Sequence, residues 1–83
     1  MKPTKYVIFT FNGEKQLMMF TPNIQHIQAM AGFLQAPECV LLSAGWFVRR
    51  GDKVVTFNNS PTLSLAPAEG DDEFIRNHLI DQP

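Results

Sequence analysis

The stretch from Cys39 to Asn58, CVLLSAGWFVRRGDKVVTFN, constrains the fold more than any other part of the chain. Two apolar runs flank Arg50-Gly51-Asp52-Lys53. Gly51 lacks a Cβ and can take the positive φ that a primed turn requires, and such a turn matches the twist of the strands it joins. With Gly51 and Asp52 as the two turn residues, Val48 is set opposite Val55 and Trp46 opposite Phe57. The only tryptophan then falls at the centre of an apolar sheet face.

A second hairpin is written near the N-terminus. Residues 4–11, TKYVIFTF, are β-branched and aromatic and favour an extended strand. Asn12-Gly13 follows, a pair in which both residues tolerate positive φ, and Gln16 to Thr21 supplies the returning strand. In this register Val7, Phe9 and Phe11 share a face with Met18 and Phe20, while Tyr6 and Ile8 share the opposite face with Leu17 and Met19. Both faces are apolar, so each needs a cover.

Two helices are predicted. Thr21-Pro22 suits a helix start, and Ile24, Ile27, Met30, Ala31 and Leu34 then fall within one arc at helical spacing. His26 and Phe33 sit at the edge of that arc, and the helix stops before Pro37. Asp71, Asp72 and Glu73 crowd the start of the second helix, where carboxylates meet the positive end of its dipole. Phe74, Ile75, His78 and Leu79 form its inward stripe, and Arg76 lies outside it. Between the second hairpin and this helix, Asn58-Asn59-Ser60-Pro61 is a turn cluster and Thr62 to Leu65 a candidate short strand.

The order strand-strand-helix-strand-strand-(strand)-helix predicts the α+β class. The expected architecture is one domain over residues 1–83, with an antiparallel sheet of four to five strands and two helices packed mainly on one face. A chain of this length buries only about 63% of its extended surface, so it needs good packing or a partner. With 45% hydrophobic residues it has material for both. The other sheet face is left with apolar side chains, and an exposed apolar patch on a small protein marks an interaction site.

The net charge of −1 argues against nucleic-acid or membrane-surface binding driven by electrostatics. Residues 1–53 nonetheless carry six Lys/Arg against three acids, and residues 54–83 carry Arg76 against five acids, a division that lets the two halves neutralise each other across the fold. The single cysteine, Cys39, excludes an internal disulfide and reads as a small buried hydrophobe. The N-terminal apolar run is broken by Thr10 and Asn12 and lacks the features of a signal peptide, and no stretch is long enough for a membrane helix. A cytoplasmic protein without membrane association is expected. In size and organisation the chain resembles small accessory proteins encoded by bacteria and their phages.

No catalytic set, metal site or cofactor is expected. His26 and His78 have no cysteine or carboxylate at ligand spacing, and His78 is the one expected to be partly buried. Cys39 could join a histidine and Asp71 or Asp72 as a nucleophile set, but no glycine elbow or oxyanion loop accompanies it. Asp71, Asp72 and Glu73 splay around a helix rather than converge on one cation. Trp46, Phe47, Arg49, Arg50 and Lys53 form the one basic-aromatic cluster and are the candidate interaction residues. The leading expectation is a non-enzymatic protein–protein interaction module, self-associating as a homodimer through apolar sheet surface or binding another protein. One alternative is a weak single-stranded nucleic-acid binder through the Arg49–Lys53 hairpin tip. The other is a small ligand-binding protein.

Overall fold

A computed structural model describes residues 2–80. It contains four strands and two helices: β1 (Thr4–Phe11), β2 (Glu14–Phe20), α1 (His26–Ala29), β3 (Cys39–Arg50), β4 (Lys53–Phe57) and α2 (Asp71–Ile80). The strands form one antiparallel sheet in the order β2-β1-β3-β4. The class is α+β, as the sequence pattern predicts.

Both hairpins close on the expected turn residues. Asn12 and Gly13 both take positive φ, at 55° and 80°, the signature of a type I′ turn. In the second turn only Gly51 does, at 64°, which fits a type II′ turn with glycine first. The registers follow: Val7 pairs with Met18 and Ile8 with Leu17 in the first hairpin, and Val48 pairs with Val55 and Trp46 with Phe57 in the second.

The sheet is covered on both sides, and the helices take opposite faces rather than one. On the first face Tyr6, Ile8, Phe47, Val54 and Ile75 of α2 form a core, with Leu17, Met19, Phe74 and Leu79 against it. On the second face Val7, Phe9, Ala44 and Met30 form another, joined by Phe33 and by Leu63 and Leu65 of the long loop. The reason lies in β1, at the centre of the sheet. Tyr6, Val7, Ile8 and Phe9 are consecutive and all buried, so a single layer of helices could cover only half of them.

α1 is far shorter than the predicted helix. After one turn the chain continues in short turns, with Phe33 N–H bonding Met30 O and Ala36 N–H bonding Phe33 O. Thr21 does not cap it; the Gln28 side chain accepts from the Gln25 N–H at 3.0 Å instead. Of the predicted arc Met30 is buried and Ala31 exposed; the inward stripe is Met30 with His26 and, partly, Phe33 from the edge of that arc. Ile24, Ile27 and Leu34 are exposed. Gly32 within the segment disfavours a long helix, and the ring of Phe33 is drawn onto Phe9 and Phe11 at 5.2 and 5.9 Å.

The candidate fifth strand is a single bridge between Ser60 and Leu65. Its two backbone bonds, 2.8 and 3.1 Å, close a tight loop in which Ser64 takes a positive φ of 56°. The chain then recrosses the sheet edge, where Ala44 N–H bonds Ala66 O at 3.4 Å, and enters α2 on the first face.

Candidate functional site

The second hairpin projects from the body of the sheet and splits the predicted cluster. Consecutive strand residues point to opposite faces, so Trp46 and Phe47 diverge. Phe47 is buried in the core beneath α2, 6.1 Å from the Tyr6 ring in an edge contact. Trp46 lies half-buried on the second face, 6.2 Å from Phe57, with the Lys5 ammonium 5.1 Å from its ring centroid. Lys5 is held there by donating to Ile24 O at 2.8 Å. Arg49, Arg50 and Lys53 are all exposed, and Arg49 Nε donates to Gly51 O at 2.9 Å across the turn. Arg50 and Lys53 share the face of Trp46, and Arg49 the face of Phe47. Trp46 therefore stands at one end of the second face, not at its centre.

Beyond Trp46 the cover of the second face stops. Val48 and Phe57 are half-buried and Val55 is 47% exposed, so Trp46, Val48, Val55 and Phe57 form an apolar strip. Arg50 and Lys53 border it at the hairpin tip, and Lys5 borders it at the other end. β4 is also the outermost strand of the sheet. Between it and α2 runs a groove of about 600 Å³, lined by Asp52, Lys53, Val54, Val55, Asp72, Glu73 and Arg76. A second groove, about 530 Å³, has Met19, Phe20, Phe47 and Leu79 in its walls and Lys2 and Arg49 at its rim.

Polar side chains with chemical potential are enclosed elsewhere. Asp71, only 3% exposed, accepts from Tyr6 Oη at 2.7 Å, from Ser43 Oγ at 3.0 Å and from Ala68 N–H at 2.9 Å. Burial, and then the bond to Asp71, push the Tyr6 phenol well above its ordinary value. Sequence reasoning placed Asp71 at the helix start, where it is, but missed its role as the hub of a buried network. Its partners are 65 and 28 residues away in the chain, which no local pattern reveals.

His26, not His78, is the buried histidine. It is 2% exposed, and its Nε2–H donates to Gly45 O at 2.9 Å beside the edge of Phe20. Burial lowers its pKa from the usual imidazole value; the Gly45 carbonyl opposes this, and the Lys5 charge adds to it. His78 stacks on Phe74 at 4.7 Å on α2. Cys39 is partly buried in the second-face core, and burial raises its thiol pKa. His26 and Cys39 lie on one face of the sheet and Ser43 and Asp71 on the other. Among the described residues no three His, Cys, Asp or Glu side chains gather where they could hold a metal ion. No described helix is long and apolar enough to cross a membrane.

These features define a small α+β domain with a four-stranded antiparallel sheet, cores on both faces and an apolar strip beside a basic hairpin tip; Val40 and Leu42 of β3 are exposed apart from that strip. No protein-family model, curated protein or solved structure matches the chain.

Proposed function

We propose that the chain is a non-enzymatic protein–protein interaction module that self-associates through the open end of its sheet. The observation that carries this reading is the strip of Trp46, Val48, Val55 and Phe57, where the covering loops stop and Val55 is left 47% exposed. Four adjoining apolar side chains with cations at their border have the composition of an interface centre and rim. The potential nucleophiles and bases support a non-catalytic role. Ser43 and Tyr6 are fully engaged with Asp71 in the interior, and the sheet separates them from His26.

Sedimentation velocity across the micromolar range tests the reading. A concentration-dependent shift from the 9.4 kDa monomer to twice that mass is expected. Val55→Lys, which puts a charge into the strip without touching either core, is expected to restore the monomer with its folded circular dichroism retained. A wild-type chain that stays monomeric at the highest concentration ends the self-association reading.

A further inference from the structure

We propose that the contact is made by the free edge of β4 and that its occupant is a second copy of the chain: the two β4 strands pair antiparallel about Val55 and continue the sheet from four strands to eight. The proposal rests on the self-association reading above and specifies its geometry.

The backbone of β4 is set for this. Arg50 and Lys53 flank a two-residue turn and so exchange hydrogen bonds with each other. Alternation then turns the N–H and C=O of Val55 and Phe57 inward to β3, and those of Val54 and Thr56 outward. β4 is an edge strand, and it lacks the devices that usually protect one. It has no proline and no bulge, and its single charge, Lys53, stands at the end of the strand.

The strand is complementary to itself in one register. A two-fold axis at Val55 places Val54 of each copy opposite Thr56 of the other, so outward-facing groups meet outward-facing groups and four backbone hydrogen bonds form. The two Val55 residues become a close non-hydrogen-bonded pair, and their exposed side chains cover one another beside Val48 and Phe57. Each Lys53 meets Phe57, which keeps the two ammonium groups apart.

The opposite face agrees. The groove beside β4 is walled by Asp72, Glu73 and Arg76 of α2. The same two-fold axis runs the two α2 helices antiparallel, bringing the Arg76 turn of one beside the acidic first turn of the other. A parallel arrangement would set like charges together. Mixed charge that matches only its own rotated copy favours a second molecule of this chain over an unrelated extended peptide.

Cross-linking reads the register directly. In a Cys39→Ser background, Val55→Cys places two thiols across the axis at a Cα separation of about 4.5 Å, within the span of a disulfide. Mild oxidation is expected to give a covalent dimer. Val48→Cys, on the same face but one strand inward, is expected to give none. Thr56→Pro removes an outward N–H while leaving the β3 ladder intact, and is expected to abolish the dimer with the monomer's circular dichroism retained. Arg76→Glu is expected to weaken association by about tenfold, and adding Glu73→Arg to restore it. If the wild type dimerises but Val55→Cys does not cross-link and the Arg76→Glu loss is not rescued, the β4 edge is wrong while self-association stands. If the wild type is monomeric, both fall.

Discussion

Asp71 is the residue on which the interior of the first face turns. It sits at the first position of α2, and its two carboxyl oxygens accept from Tyr6, Ser43 and the Ala68 N–H. Tyr6 and Ser43 are buried, so both hydroxyls would be left unpaired by Asp71→Ala, while the Ala68 N–H is near enough to the surface to meet water. At about 1–3 kcal/mol for an unsatisfied buried group, that variant should lose about 3 kcal/mol or more in urea unfolding. Tyr6→Phe removes one donor and should lose about 1–2 kcal/mol. Tyr6 is the only tyrosine, so its ionisation is visible on its own. Because its folded pKa is raised, stability is full below pH 10 and falls as the pH rises past the ordinary phenol value. Tyrosinate absorbance should therefore stay absent in the folded state above that pH and appear together with loss of circular dichroism. His26 has the opposite sign. Its folded pKa lies below 6.5, so the unfolded chain binds the extra proton first. Stability from this group is full above that value and declines as the pH falls toward the folded pKa. His26→Gln should flatten the stability profile between neutral pH and the onset of carboxylate titration, measured by urea midpoints.

At the scale of elements, the two hairpins were fully legible because their information is local. Asn12-Gly13 and Gly51-Asp52 fix both turn type and register within a few residues. β3 was only half legible. Its pairing with β1 slips between Ile8 and Phe9, so Leu42 is an extra residue that turns outward, 44% exposed. The bulge lets Cys39 and Leu41 share a face with Ala44 and Trp46, which strict alternation forbids. Where β3 leaves the bulge, Gly45 is fixed by crowding rather than by φ. A Cβ there would lie 2.7 Å from Pro67 Cγ, 3.0 Å from Asn58 O and 3.1 Å from Phe57 O. Two of those atoms are backbone and cannot swing away, so Gly45→Ala should destabilise by about 1–3 kcal/mol or shift the returning segment, seen as a lowered thermal midpoint. α1 failed to extend because the segment around it answers to the second-face core. Its residues turn inward one at a time to meet Val7 and Phe9, and no continuous helical face is needed for that.

For the whole molecule, the arrangement that matters is a sheet buried on both sides by unlike covers. α2 is one rigid lid, and Ile75, with no exposed surface, anchors it on Tyr6, Ile8, Phe47 and Val54. Ile75→Ala should lose about 2–5 kcal/mol, read from the urea midpoint at constant slope. The other cover, a series of turns and a bridged loop, ends before the distal hairpin and leaves the strip at Val55 open. The proposed self-association follows from this difference in reach. Of the candidate residues, Trp46, Arg50 and Lys53 lie on one face of the sheet. Phe47 and Arg49 belong to the other, because neighbours along a strand cannot project together.

Local chemistry alone settled the turns, the strand pairings next to them, the start and inward stripe of α2, and the α+β class. Each depends on contacts a few residues apart, and backbone sterics and alternation carry that information in the residue order. Which face each helix covers, the bulge in β3, the burial of His26 and the convergence of Tyr6, Ser43 and Asp71 were decided only by the folded chain. Those depend on distances between residues far apart in sequence, which the competition for space around β1 sets and no single segment encodes.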